Sequence, residues 1–216
     1  MVTQYLVDFY TNLLNICVEN GLDFFETHDR ESFIDWHYDN DVPEFHSDWG
    51  ASRFVIWEDT LPYVIKIPFI DNRTQYKNYC EIEVEICERA MKTDIRDCFA
   101  ETAFLCYYQG HPIYIMEKAI CDEDGLYLSA CEAAENHKDV VEEYFARSEV
   151  EDYSSSASFS SMDSMTQAEF LKLEEWGEDV ADKFFSFSKE NNINDQHLGN
   201  FGYIDNHLVI IDYCGF

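Results

Sequence analysis

The order of sequence patterns predicts an α+β protein with a sheet-rich first half and a helix-rich second half. Three observations carry the prediction. Short β-branched and aromatic runs, among them Arg53–Trp57 and Tyr63–Ile67, gather between residues 50 and 118. Apolar residues recur at helical spacing near the N-terminus, over 74–91, and through most of 122–190. The resulting order is helix, strands, helix, strands, helices and a terminal hairpin, without an internal repeat.

Residues 2–19 place Leu6, Phe9, Tyr10, Leu13, Leu14, Ile16 and Cys17 at helical spacing, and Gly21 is a stop signal. Residues 23–49 are acidic and aromatic with weak periodicity, and no element is assigned to them. The runs at 53–57 and 63–67 flank Glu58-Asp59-Thr60-Leu61-Pro62, which predicts an antiparallel hairpin ended by Pro68. Thr74–Met91 reads as a helix with Tyr79, Ile82, Ile86 and Ala90 on one face. Phe99–Tyr108 and Pro112–Lys118 flank Gln109-Gly110-His111 as a second hairpin. Residues 122–152 are acidic and helical, and the serine-rich stretch within 153–165 is expected to be an exposed, mobile loop. Thr166-Gln167-Ala168-Glu169 matches a capping box, which predicts one helix through about Glu190. The tail from Phe201 to Phe216 alternates like two strands around Asp205-Asn206.

Composition bounds what such a fold can do. The chain has 216 residues, 46% of them apolar, with 17 Phe, 14 Tyr and 4 Trp, so it can bury a sizeable core. Its 14 Lys+Arg stand against 44 Asp+Glu, a net charge of −30. Binding a phosphate backbone or anionic lipid depends on cations neutralising negative charge, so direct nucleic-acid binding and membrane-surface binding are not expected. Partners with basic faces, and metal ions, are compatible with the charge. The absence of a long apolar run and of a basic N-terminal region points to a cytoplasmic protein. The eight cysteines include no CxxC pair and sit in apolar or helical runs, so they read as reduced core thiols, and no zinc site is expected.

The stretch richest in chemistry is Asn194-Asp195-Gln196-His197-Leu198-Gly199-Asn200, followed by Val209-Ile210-Ile211-Asp212-Tyr213-Cys214-Gly215. A hairpin between the two returns Asn200 and Asp212 to one edge, with Asp195 a loop away. Hard oxygen ligands converging in this way suit Mg²⁺, which takes a few protein oxygens together with substrate phosphates. Asp212 closes an apolar strand, a position from which a carboxylate usually points into a cleft. In the first half, Lys66 lies among Val64, Ile65 and Ile67, where one of only 14 basic residues suggests an acidic or phosphate partner.

The pattern D-x-H-x-G-N, then an apolar strand and I-D-Y, resembles the protein-kinase-like fold. It is most similar to the aminoglycoside and small-molecule phosphotransferase branch, whose pattern is D-x-H-x-x-N followed by I-D-[FWY]-G. The resemblance covers about residues 45–216 and implies a two-lobed fold: an antiparallel-sheet N-lobe over 50–118, preceded by a leader over 1–49, and a reduced, mostly helical C-lobe over 119–216. It implies that Asp195 receives the acceptor hydroxyl's proton and that Asn200 and Asp212 hold Mg²⁺. Val64-Ile65-Lys66 resembles the V-A-I-K strand, whose lysine contacts the nucleotide phosphates. The helix over 74–91 then supplies the paired glutamate. Asn78-Tyr79-Cys80-Glu81 fits the family's N-x-x-E best and makes Glu81 the first candidate, with Glu83 and Glu85 open. Gly50 and Ser52 lie where the glycine-rich loop belongs, although one glycine stands there instead of three. Met116, Glu117 and Ala119 lie where the adenine-binding hinge belongs.

The sequence ends at Phe216, four residues past Asp212, where ordinary family members continue through an activation segment and further helices. The expectation is therefore a minimal, C-terminally truncated member of a phage-encoded kind, acting in a host cytoplasm. It would use ATP and Mg²⁺ to phosphorylate an unidentified hydroxyl, conceivably protein Ser or Thr. The sparse glycine loop and early end also fit a catalytically inactive pseudokinase. The −30 charge fits an acidic, nucleic-acid-mimicking inhibitor that binds a basic protein.

Overall fold

The structure, a computed structural model, describes residues 2–22, 30–39, 45–69, 78–139 and 163–214. It is α+β and divides into two compact units. Unit 1 comprises Met1–Glu88 and Glu101–Lys118, and unit 2 comprises Arg89–Ala100 and Ala119–Phe216.

Unit 1 contains helices α1 (Gln4–Glu19) and α2 (Arg30–Asp39), strands β1 (His46–Trp49), β2 (Arg53–Trp57) and β3 (Tyr63–Pro68), most of helix α3 (Tyr79–Ala90), and strands β4 (Thr102–Tyr108) and β5 (His111–Glu117). The strands form one antiparallel sheet in the order β1-β2-β3-β5-β4. Alternation along each strand sends Phe54, Ile56, Ile65, Ile67, Leu105, Ile113 and Ile115 into a core shared with α1 and α2. From α1 this core takes Leu6, Tyr10, Leu13, Leu14 and Cys17, and from α2 it takes Phe33 and Trp36. Polar tips at its rim are satisfied. The Tyr10 hydroxyl donates to Tyr63 O at 2.8 Å, that of Tyr108 to Asn15 Oδ1 at 2.7 Å, and Trp36 Nε1 to Asn20 O at 2.9 Å. The opposite sheet face carries Arg53, Val55, Val64, Lys66, Tyr114 and Met116 by the same alternation. The β4–β5 turn has positive φ at both Gln109 (50°) and Gly110 (88°), the two-residue geometry that matches strand twist.

Unit 2 contains a 3₁₀ turn (Arg96–Cys98), helices α4 (Glu123–Asn136), α5 (Ser164–Trp176) and α6 (Glu178–Asn191), a second 3₁₀ turn (Leu198–Asn200), and the hairpin β6 (Phe201–Ile204) and β7 (His207–Ile210). Its core is aromatic. Phe184 lies 5.4 Å from Phe99 and 4.8 Å from Trp176, and Tyr213 meets Phe99 edge-on at 5.1 Å. The hairpin turns on Asp205 and Asn206, both at positive φ, as expected from the sequence.

Three expected elements shift. First, the helix expected over 166–190 is two helices. Gly177, at φ +74° and ψ 162°, takes a conformation that other residues rarely adopt, and the chain breaks there. Second, the Thr166–Glu169 capping box does not start α5. Asp163 is the cap, its Oδ1 accepting from Met165 N at 3.0 Å and Thr166 N at 2.9 Å, so 163–165 belong to the helix start and not to the expected loop. Third, the buried stripe of α3 runs through Cys80, Glu83, Ile86, Cys87 and Ala90, while Tyr79 and Ile82 are only partly buried. The described helix starts at Tyr79, and the expected part over 74–77 lies outside the described residues, as does the serine-rich stretch at 154–161. The structure also adds α2 and β1 within the unassigned 23–49 segment.

All eight cysteines are free thiols, and Cys17, Cys80, Cys87, Cys98 and Cys214 are buried. Burial pushes the Cys17 and Cys98 thiols up to about 12, which keeps them protonated and unreactive. Among the described residues no helix is long and apolar enough to cross a membrane.

Candidate functional site

In unit 1 the candidate residues converge on Glu83. Lys66 is the central residue of a three-strand register, opposite Val55 on β2 and Tyr114 on β5. Its Nζ donates to Glu83 Oε1 at 3.3 Å and Oε2 at 3.1 Å. A second cation, Arg53 on β2, meets Glu83 Oε2 at 2.5 Å. The carboxylate is fully buried, and the side chains of Arg53 and Lys66 are only 4% and 7% exposed. Burial alone would push the Glu83 carboxyl up. The charges of Arg53 and Lys66, and then their hydrogen bonds, outweigh it and hold the carboxyl below its usual value.

The pairing expected for Glu81 therefore falls to Glu83. Glu81 is exposed, and its backbone N–H donates to Asn78 Oδ1 at 3.2 Å, so the Asn of N-x-x-E caps the first turn of α3. Two residues along a helix are about 200° apart around its axis, which puts Glu81 and Glu83 on opposite faces. Glu83 lies three residues after Cys80 and three before Ile86, on the inward stripe. Tracking the stripe by the cysteines would have found it.

The segment expected to cover phosphates is a tight hairpin. Trp49 pairs with Phe54, and Gly50 N donates to Arg53 O at 3.0 Å, which leaves Ala51 and Ser52 alone at the tip. Ser52 Oγ accepts from Arg53 Nε at 3.1 Å and Ser52 O accepts from Phe69 N at 3.0 Å, so this residue braces β2 and β3. A two-residue tip cannot drape over a triphosphate as a longer loop does.

The expected hinge is also partly committed. Met116 is 1% exposed, buried on the sheet face that also carries Lys66. Glu117 N donates to Glu101 O at 3.0 Å, while Glu117 Oε2 accepts from Glu101 N at 2.8 Å. Lys118 N donates to Pro62 O at 2.9 Å and Ile120 N to Tyr203 O at 2.9 Å. Among the described residues, the amide of Ala119 is the one from 117 to 120 without a backbone partner.

In unit 2 the loop from Asp195 to Asn200 is wired on every side. Asn200, 7% exposed, donates from Nδ2 to Asp195 O at 2.8 Å, and among the described residues its Oδ1 has no hydrogen bond. Asn200 O accepts from Ile211 N at 2.8 Å, so the residue before Asp212 is tied directly to Asn200. This is the common edge that the spacing implied. The buried Tyr213 donates from its hydroxyl to Ala100 O at 3.0 Å and anchors the segment, while Asp212 stays partly exposed beside it. His197 Nδ1 accepts from Gly199 N at 3.1 Å, which puts the ring proton on Nε2, 3.7 Å from Asp195 Oδ1. The Asp195 side chain is 40% exposed. At Gly202, the second residue of β6, a Cβ would meet Ala119 Cβ at 2.8 Å and Ile120 O at 3.0 Å, so the position has room for glycine alone.

Sequence reasoning missed one group. Lys172 on α5 is 2% exposed, and its Nζ donates to Gln196 Oε1 at 2.8 Å and Glu169 Oε1 at 2.5 Å. It lies 5.5 Å from the centroid of Phe184 and 5.9 Å from that of Phe201. Burial holds its ammonium below the usual lysine value, against the opposing pull of Glu169. Its signal was position: Ala168, Leu171 and Lys172 form one helical stripe.

The donors offered by Asn200 and Asp212 are a carboxamide oxygen and a carboxylate, hard oxygens that fit Mg²⁺. No family model matches the chain, and neither a curated protein nor a solved structure is significantly similar to it.

Proposed function

We propose that the chain is a kinase-like phosphotransferase that binds ATP with Mg²⁺ and transfers the γ-phosphoryl group to a hydroxyl. The observation that carries this reading is the buried pair of Lys66 on β3 with Glu83 on the helix that follows, the arrangement that orients nucleotide phosphates in kinases. A lysine fixed by a buried glutamate is held in one place.

In the reaction, Asp195 accepts the proton of the acceptor hydroxyl as its oxygen bonds to the γ-phosphorus. The bond from that phosphorus to the bridging oxygen breaks, and ADP leaves with the electron pair. Lys66 balances charge on the phosphates, and Ala119 N–H meets the base. Asn200 Oδ1 and the Asp212 carboxylate would hold Mg²⁺, which supplies charge neutralisation at the phosphates. Catalysis of this kind is positioning and electrostatics, so each residue is worth orders of magnitude in rate.

The test follows label from ATP carrying a marked γ-phosphate into protein and inorganic phosphate. Wild type is expected to release or transfer label only with Mg²⁺, Asp195→Asn to lose transfer while still binding ATP, and Lys66→Met to lose both. Equal turnover in Asp195→Asn and wild type overturns the assignment.

The two-residue tip between β1 and β2 favours a second reading, a pseudokinase that binds nucleotide without transferring phosphate. Mg²⁺-dependent binding without turnover would select it. Absence of both would favour the acidic inhibitor of a basic protein, for which the −30 charge speaks.

A further inference from the structure

We infer that Lys172 is a positioning residue, which holds the Asp195–Asn200 loop in its metal-binding shape through Gln196. The inference rests on the phosphotransferase reading and assigns that site a support outside the residues touching nucleotide.

The geometry is a chain of three bonds. Lys172 Nζ donates to Gln196 Oε1 at 2.8 Å, and Gln196 Nε2 donates to Ile193 O at 2.7 Å. From the next residue back, Asp195 O accepts from Asn200 Nδ2 at 2.8 Å. Gln196 is 8% exposed, so its carboxamide has little water to replace a lost partner. The carboxamide can take only one orientation here: an ammonium offers donors alone, which fixes oxygen toward Lys172 and nitrogen toward Ile193 O. Orientation passes along the backbone to Asp195 and, through its carbonyl, to the Asn200 side chain. The freedom of Asn200 Oδ1 to meet a cation depends on its Nδ2 staying on that carbonyl.

A lysine is an unusual choice for this place. A buried cation over two aromatic rings, with a half-exposed carboxylate as its one ionic partner among the described residues, is costly to desolvate, and an apolar residue of the same shape would pack as well. What the apolar residue lacks is a donor to Gln196. Metal ligands are commonly held by such supporting hydrogen bonds, and losing one weakens metal affinity about 10–100-fold.

The test measures ATP affinity by calorimetry, with Mg²⁺ and with EDTA, for the full chain and for Lys172→Met, Lys172→Arg, Gln196→Met and the double variant Lys172→Met/Gln196→Met. Amide exchange at Gly199, Asn200 and Ile211 is followed in parallel. Lys172→Met is expected to lose about tenfold in affinity with Mg²⁺ and nothing in EDTA. Gln196→Met should lose the same, and the double variant no more than either, because the two residues act in series. Lys172→Arg, which keeps a donor, should restore affinity. Lys172→Met binding ATP with Mg²⁺ as wild type does, or losing affinity equally in EDTA, overturns the positioning role, as does an additive double variant. If Lys172→Met does not fold, Gln196→Met and Lys172→Arg decide between the same outcomes. A wild type without Mg²⁺-dependent ATP binding overturns the phosphotransferase reading instead. The exchange data then judge the brace alone: faster exchange at the three amides in Lys172→Met, reversed in Lys172→Arg, upholds it, and unchanged exchange overturns it.

Discussion

Lys66 in unit 1 and Lys172 in unit 2 are both buried lysines in a chain with few cations, yet they are held by different chemistry. Lys66 shares a fully buried carboxylate with Arg53, whereas Lys172 faces a neutral carboxamide, two rings and a carboxylate that is half in water. In the first case opposite charges fix each other, and the carboxyl is held ionised despite burial. In the second, burial is incompletely compensated and weakens the hold on the proton. A fully paired charge marks a place built to keep its charge. An under-compensated one marks a place where a hydrogen-bond donor is needed more than a charge.

The sharpest way to break this comparison is Glu83→Gln. It leaves Arg53 and Lys66 without this carboxylate, and removing one partner of a buried ionic cluster costs about 3–5 kcal/mol. Urea unfolding should show a loss of that size, and a loss under about 1 kcal/mol would mean that the cluster is not held by charge. Gly202→Ala comes next. The new methyl would meet the 119–121 segment of unit 2, and overpacking of this kind costs about 1–3 kcal/mol in the same assay.

The two sites also differ in the sign of their pH dependence. Glu83 is lowered from 4.5, so between that value and its folded one the unfolded chain binds more protons. Its contribution is present above pH 4.5, is lost as pH falls through the folded value, and should be missing in Glu83→Gln. Lys172 is lowered from 10.5, so in the window just below that pH the unfolded chain again binds more protons, and stability from this group rises with pH. Tyr10 and Cys17 are raised by burial and act oppositely at alkaline pH. The Lys172 contribution is therefore read as wild type minus Lys172→Met, a difference that should grow as pH rises toward 10.5. The smallest effect belongs to Glu81→Gln, an exposed change expected to stay within about 0.5 kcal/mol. Against the Glu83→Gln loss, it sharpens which face of α3 carries the carboxylate.

What could be read in the sequence follows the same divide. Hairpins were legible because turn residues and alternation are local: Gln109-Gly110 and Asp205-Asn206 both turn where expected. The common edge of Asn200 and Asp212 followed from one hairpin, and Ile211 N bonds Asn200 O across it. Groups whose place depends on distant partners were less legible: Glu83 stood only as an open alternative to Glu81, and Lys172 was missed. Glu83 and Lys172 occupy apolar helical stripes, and a stripe drawn by hydrophobicity passes over both, because their burial depends on Arg53, Lys66 and Gln196 from other elements. Strand β1, His46-Ser47-Asp48-Trp49, is a polar edge strand with no periodic signal, visible only by its pairing with β2.

A nucleotide site that needs a metal is tested directly by thermal unfolding with ATP. With ATP and Mg²⁺ at about 100 times the dissociation constant, wild type should gain about 2.7 kcal/mol, a shift of several degrees. Most of the gain should vanish without Mg²⁺ or in Asp212→Asn. A wild type that melts at the same temperature with and without millimolar ATP and Mg²⁺ would contradict the account.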